Sequence, residues 1–249
     1  MKRMLIVGGA NGIGLSIACE MIKRTDCEKV YIVDKSSLDE CYRHQKIEDF
    51  VFDLTNPDYS FFNKFCDIDS LMITAGFGKL SLFRELDEQH IIDSFTVNTI
   101  AAIRIIKHFY SKIEAEQDFF CGVMCSIAGF MTSPFFSVYG ATKAALKVFI
   151  ESVNVELVKS STTNRILNIS PGSIAGTAFY NKKTDLALLE QLADRIIHEL
   201  EIKNDLYIPQ YDEVYKHVLN RYHDDFRAEG LHSYEYKLKS GRISESNKK

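Results

Sequence analysis

Short apolar runs alternate along this chain with longer stretches whose apolar residues recur at helical spacing. The runs are MLIVGG, KVYIVD, IEDFVFD, SLMITAG, FFCGVMCS and RILNISPG, and each ends in Gly, Asp or Ser. Apolar, β-branched runs bounded in this way predict strands. Between them, residues 12–24, 59–66, 88–115 and 139–159 predict helices. Strands alternating with helices build βαβ units, so the expected fold class is α/β, a doubly wound parallel sheet with helices on both faces. Near-continuous apolar strands fit a sheet covered on both sides. No repeat, Pro-rich linker or low-complexity segment divides residues 1–249, which predicts a single domain.

Beyond Thr177 the pattern changes. Leu189, Leu192, Ala193, Ile196, Ile197 and Leu200 trace one helical stripe, and a second helix is expected over 212–228. Residues 178–230 are therefore assigned to a lid and C-terminal helices, and 231–249, with a basic excess, to a solvated tail. No further apolar strand-like run follows.

Composition narrows the function. The chain has 249 residues, 46% hydrophobic and 26% charged, enough to bury a sizeable core. Its net charge of −4 argues against nucleic-acid or anionic-membrane partners. Cys19, Cys27, Cys41, Cys66, Cys121 and Cys125 form no C-x-x-C pair and have no His at metal spacing, so no metal site is expected. Free thiols in apolar runs suggest a reducing compartment. No stretch approaches the roughly 18 apolar residues of a membrane span. A cytoplasmic location is the expectation.

The first strand runs into GGANGIG and then a helix. A Gly-rich strand-to-helix turn lets the backbone approach a pyrophosphate against the free N–H groups of the helix N-terminus. The glycines that matter are Gly8, Gly12 and Gly14, spaced G-x-x-x-G-x-G. The second strand ends at Asp34, where a carboxylate accepts hydrogen bonds from ribose hydroxyls and repels a 2′-phosphate. NAD is therefore expected over NADP, with Lys35 beside Asp34 keeping NADP as the alternative.

In SVYGATKAALKVFI, Tyr139 and Lys143 share one helical face. Alone, such a pair reads as a Lys stem lying along a Tyr ring. Gly8, Gly12 and Gly14, then Asp53-Leu54, Thr74-Ala75-Gly76, Asn98, Ser126, Tyr139-x-x-x-Lys143 and Pro171-Gly172 follow in one order, however. That ordered set resembles the short-chain dehydrogenase/reductase family, in its short single-domain subgroup, over residues 1 to about 177. The resemblance implies a Rossmann-type fold and an oxidoreductase interconverting a secondary alcohol and a ketone.

By that resemblance, Tyr139 is the general acid/base, and Lys143 holds the nicotinamide ribose and favours tyrosinate. Ser126 stabilises charge on the substrate oxygen, and Asn98 positions a water joining Lys143 to solvent. Coenzyme contacts fall to Gly8, Asn11, Gly12, Ile13 and Gly14 at the turn, and to Asp34, Asp53, Leu54, Ala75 and Gly76 around the adenosine. Pro171, Gly172, Ile174 and Thr177 meet the nicotinamide with Tyr139 and Lys143. The family also implies a homodimer or homotetramer packed through the helices beginning near Glu88 and Tyr139. Val7 and Thr74 depart mildly from its pattern, where they brace the turn. The C-terminal HSYEYKLKSGRIS departs more, standing where members carry an apolar strand leading into Asp-Gly-Gly.

The segment IAGFMTSPFFSV is uncharged and carries Phe130, Met131, Phe135 and Phe136. Phe179 and Tyr180 follow Thr177, with Lys182 and Lys183 as the cations expected near the site. A neutral, fairly apolar ketone or alcohol is the expected substrate. The competing reading, a non-catalytic dinucleotide-binding regulator or scaffold, predicts loss of Ser126, Tyr139 or Lys143, and all three are present.

Overall fold

A computed structural model of the chain describes residues 1–177, 184–240 and 243. Seven parallel strands form one sheet. They are β1 (Arg3–Val7), β2 (Lys29–Asp34), β3 (Ile47–Val51), β4 (Ser70–Ile73), β5 (Phe120–Met124), β6 (Ile166–Ile169) and β7 (Leu206–Tyr207), in the order β3-β2-β1-β4-β5-β6-β7. The chain builds outward from β1 to β3, then crosses back to lay β4 on the other side of β1. That reversal is the switch point at which open α/β sheets leave a crevice beyond the strand C-termini.

Six of these strands are the six predicted runs. The seventh, only two residues long, pairs Leu206 with Asn168 and Tyr207 with Ile169. It lies ahead of the C-terminal helices rather than after them, where the family comparison led one to look for it.

Alternate strand residues enter opposite layers, as the two-residue side-chain period requires. Leu5 and Val7 join a core with Phe62, Phe65, Leu71, Ile105, Phe109 and Ile150. Met4 and Ile6 join the other, with Leu15, Ile17, Met21, Ile196 and Leu200. The second layer is α1 (Gly12–Lys23) packed beside α5 (Leu186–Glu201). The first holds α3 (Ala101–Ile113) and α4 (Ser137–Lys159). Phe62 and Phe65 lie on a 3-10 segment, Tyr59–Phe65, where an α-helix was predicted. Truncating fully buried Phe62 would cost about 3–5 kcal/mol.

The predicted helix over 88–115 is continuous but not uniform. α2 (Glu88–Phe95), started by the Asp87 carboxylate accepting from the His90 N–H at 2.7 Å, passes into a π-helical turn, Thr96–Ile100, and then α3. Beyond β7 come a second π-helical turn, Tyr211–Tyr215, then α6 (Lys216–Asp224) and α7 (Phe226–Lys239). The single helix expected over 212–228 is interrupted at Asp225, whose backbone is extended (φ −151°) and whose carboxylate caps the Arg227 and Ala228 N–H groups. Residues 231–239, assigned above to a solvated tail, are helical. Among the described residues no helix is long and apolar enough to cross a membrane. All six cysteines are free, with Cys27, Cys121 and Cys125 buried.

Candidate active site

The turn after β1 is shaped by close approach. Gly8 adopts φ +91°, and a Cβ there would stand 2.4 Å from the Ala75 nitrogen. Only glycine lets the chains leaving β1 and β4 meet so closely. The Thr74 hydroxyl donates to the Gly8 carbonyl at 2.7 Å and approaches the Val7 carbonyl at 3.2 Å, bracing the turn. Asn11 caps α1 with extended backbone and no side-chain bond. The first-turn N–H groups are therefore left for other partners. The Gly12 N–H donates to the Thr184 hydroxyl at 2.8 Å. Gly12 itself, at φ +56°, has no atom within 4 Å of where a Cβ would stand. An open, backbone-lined helix N-terminus of this kind fits a dinucleotide pyrophosphate.

Asp34, at the end of β2, accepts from the Ala10 N–H at 3.1 Å through one oxygen and from the Ser36 N–H at 3.2 Å through the other. It thus ties the glycine turn to the second strand. Asp53, beyond β3, accepts from the Thr55 N–H and hydroxyl, both at 2.9 Å, and these bonds hold its carboxyl below the usual carboxylate range. Leu54 is buried, and its carbonyl accepts from the Tyr59 hydroxyl at 2.9 Å.

A cavity of about 660 Å³ opens beyond the C-terminal ends of β1, β4, β5 and β6. Gly8, Asn11, Gly12, Ile13 and Gly14 lie along it on one side, and Pro171, Gly172, Ile174 and Thr177 on another, with Gly76, Ser126 and Tyr139. Asp34, Asp53, Leu54 and Ala75 are outside its wall, as are buried Lys143 and Asn98.

Ser126 lies two residues beyond β5 and caps a 3-10 turn, its Oγ accepting from the Ala128 N–H at 3.2 Å and donating to the Pro171 carbonyl at 3.4 Å. It also hydrogen-bonds the Tyr139 phenol, which favours the ionised form, yet burial prevails and pushes the phenol up to about 12. Lys143 Nζ stands 5.8 Å from the Tyr139 ring centroid, and its own ammonium is lowered by burial. Only 2% exposed, Lys143 donates to the Met124 carbonyl at 2.7 Å. Asn98 sits in the π-helical turn, a placement π-bulges often take at functional sites. Its Nδ2 donates to Thr142 Oγ1 at 3.2 Å, linking that turn to α4 one residue before Lys143.

The aromatic loop divides between two roles. Met131 and Phe136 face the cavity. Phe135, with φ +66°, is buried with its ring centroid 4.5 Å from that of Tyr234. Phe130 lies 4.9 Å from Lys147 Nζ. Phe179, Tyr180, Lys182 and Lys183 lie outside the described residues.

Sequence reasoning missed one whole wall of the cavity, which comes from the C-terminal helices. Val214, Tyr215, Val218, Arg221, His232 and Lys237 contribute to it. The Tyr215 hydroxyl fills the space any side chain at position 172 would need, 1.5 Å from an ideal Cβ. The expectation that the lid lysines alone bring a cation near the site is therefore corrected. Arg221 was unremarkable on a polar helix, and His232 and Lys237 fell in the stretch assigned to a solvated tail, so only their placement shows what they face.

Residues 2–186 match the family model of the short chain dehydrogenases. The chain belongs to that family. Among relatives it is 23% identical over 180 residues to the uncharacterized oxidoreductase TDA5 of Saccharomyces cerevisiae, covering 69% of this chain and 55% of that protein. Among solved structures, a short-chain dehydrogenase from Streptomyces avermitilis superposes with TM-score 0.73 at 19% identity, over 96% of this chain and all of that one (100%). Another, from Burkholderia cenocepacia in complex with NADP, gives 0.71 at 18% identity, over 89% and 98%. As a short-chain dehydrogenase, the chain keeps the family's fold through β6 and carries α6 and α7 beyond the matched region.

Proposed function

We propose that this protein is a nicotinamide-dependent oxidoreductase interconverting a secondary alcohol and a ketone. The observation that carries this reading is the Tyr139 phenol, hydrogen-bonded to Ser126 inside the cavity, with buried Lys143 one helical turn away. When bound, the coenzyme supplies hydride transfer. Ser126 and Tyr139 hold the carbonyl oxygen between two hydroxyls, where charge develops during reduction. Tyr139 gives that oxygen its phenolic proton, and takes a proton from the hydroxyl in the reverse direction. Burial keeps the phenol protonated at neutral pH, so its prepared role is that of acid. Lys143 would hold the ribose hydroxyls, and Asn98, bonded to Thr142 one residue before it, would position a water joining Lys143 to solvent.

The glycine turn suits the pyrophosphate, and Asp34 favours NAD(H) over NADP(H), although the Burkholderia neighbour binds NADP. The test is absorbance of the reduced coenzyme during turnover of a ketone panel, with NADH and NADPH in parallel. Turnover that needs Tyr139 supports the reading. Coenzyme binding without turnover on any ketone would favour a dinucleotide-binding regulator.

A further inference from the structure

The loop that leads into Tyr139 contains a strained residue, and the last helix covers it. Phe135 has φ +66°, in the left-handed region that bulky side chains rarely adopt. Such a backbone persists only where its surroundings over-determine it. Here the Phe135 carbonyl accepts from the Ser81 N–H at 2.9 Å. Its ring, 4% exposed, tilts against Tyr234 of α7 at a centroid distance of 4.5 Å. Elsewhere along α7, a Cβ on Gly230 would lie 3.2 Å from Thr132 Oγ1, and Lys237 donates to Ser133 Oγ and the Pro134 carbonyl, both at 2.8 Å.

Phe135 stands just ahead of α4, and Tyr139 lies in the first turn of that helix. This turn is poorly equipped to secure itself. Phe136, at the N-cap, has no side-chain oxygen to accept from first-turn N–H groups as Ser, Thr or Asp would. Gly140, in the same turn, adds the conformational freedom that weakens helices. One turn later α4 is anchored without α7. A Cβ on Gly129 would lie 2.8 Å from the Lys143 carbonyl carbon, and Leu146 and Ile150 enter the core. The Tyr139 end of α4 therefore depends on the loop before it, and the part from Lys143 onward does not.

We infer that Tyr234 is a positioning residue for the reaction: by covering Phe135 it fixes the turn from which α4 starts, and with it where Phe136 and the Tyr139 phenol stand. This rests on the oxidoreductase reading above. The centroid of the Phe136 ring is 5.2 Å from that of the Tyr139 ring, so a shift of the loop reaches the phenol through one contact. Proton transfer requires hydrogen-bond reach, and a misplacement of about 1 Å costs up to about 10²-fold in rate. α7 lies beyond residues 2–186, so this support comes from outside the part of the chain that matches the family model.

The test measures kcat for reduction of acetophenone, cyclohexanone and methyl acetoacetate with NADH and NADPH, and coenzyme Kd by isothermal titration. Tyr234→Ala should lower kcat by about 10–10²-fold while coenzyme Kd moves less than about twofold, because Lys143 and the glycine turn keep their places. Tyr234→Phe, which keeps the ring, should retain most of the rate. Position 135 separates strain from simple packing. Phe135→Gly and Phe135→Ala both delete the ring, but only glycine adopts φ +66° without strain. Phe135→Gly should therefore turn over faster than Phe135→Ala, the reverse of the order that filled volume would give. If Tyr234→Ala does not fold by circular dichroism, this pair decides. An unchanged kcat in folded Tyr234→Ala, a parallel loss of coenzyme affinity, or Phe135→Ala at least as active as Phe135→Gly overturns the inference and leaves the oxidoreductase reading intact. No turnover by the native protein with any of these ketones and either coenzyme overturns both.

Discussion

The Asn98 carboxamide clasps the backbone of Phe77 from both sides. Its Oδ1 accepts from the Phe77 N–H at 2.9 Å, and its Nδ2 donates to the Phe77 carbonyl at 2.8 Å. Asn98 is 1% exposed, so these bonds replace water that cannot reach either group. The clasp joins the π-helical turn before α3 to the segment after β4. It also sets how near that segment comes to Lys143, since a Cβ on Gly76 would lie 3.2 Å from Asn98 Oδ1 and 3.3 Å from Lys143 Nζ.

Asn98→Leu should therefore destabilise the fold by about 1–3 kcal/mol, the cost of orphaning buried polar groups. Urea unfolding followed by circular dichroism would read it as a lower midpoint at unchanged slope. An unchanged midpoint would mean that Phe77 finds its partners elsewhere.

Tyr139→Phe should reduce turnover by about 10²–10⁴-fold, because the phenolic proton acts in the chemical step. Coenzyme affinity, measured by isothermal titration, should stay near that of the native protein. Lys143→Ala should harm both quantities. A phenylalanine variant with most of its activity would move the acid/base role to another residue.

The pH dependence follows from burial at Tyr139. With the phenol pushed up to about 12, the protonated form dominates near neutrality. Ketone reduction, which uses that proton, should be nearly flat from about pH 7 to 10 and fall as the phenol begins to ionise. Alcohol oxidation, which needs the proton absent, should rise with pH over the same span. A flat oxidation profile would show that Lys143 and the coenzyme's own charge had already ionised Tyr139.

Asp34 should make NAD(H) bind more tightly than NADP(H), since its carboxylate would face the 2′-phosphate. Asp34→Ala should narrow that gap. It should also weaken both coenzymes, because Asp34 supports the glycine turn through Ala10. The informative quantity is the ratio of dissociation constants from parallel titrations. Stronger NADP(H) binding by the native protein would refute the preference.

A dimer is expected through α2 and α4. Val148, Val155 and Val158 on α4, with Ile92 on α2, are half or more exposed, at 57%, 64%, 56% and 50%. Their apolar area suits a self-complementary contact. Light scattering at micromolar concentration should give at least twice the chain mass, and Val155→Glu should shift it toward the monomer. A monomeric native protein would leave these valines without that role.

Much of this molecule is legible in one dimension because its periodicities are local. The six longer strands announce themselves as apolar runs, and α5 as a stripe from Leu189 to Leu200, since burial on one face demands a fixed spacing. Gly8 and Tyr139-x-x-x-Lys143 are readable for a related reason: a tight turn and a shared helical face constrain neighbours in sequence. β7 was not readable, because two residues carry no period and Leu206 and Tyr207 become a strand only by pairing with β6. The raised phenol of Tyr139 was equally hidden, since desolvation depends on what packs around a group rather than on the residues beside it. The same holds for the α6–α7 wall. Arg221, His232 and Lys237 look like solvated charges along the chain. The break at Asp225 and the packing of Phe135 on Tyr234 turn them toward a cavity whose other walls lie far away in sequence. Local spacing thus specifies elements and the Tyr139–Lys143 pair. Which charges share the cavity is a matter of long-range packing, which only the folded chain decides.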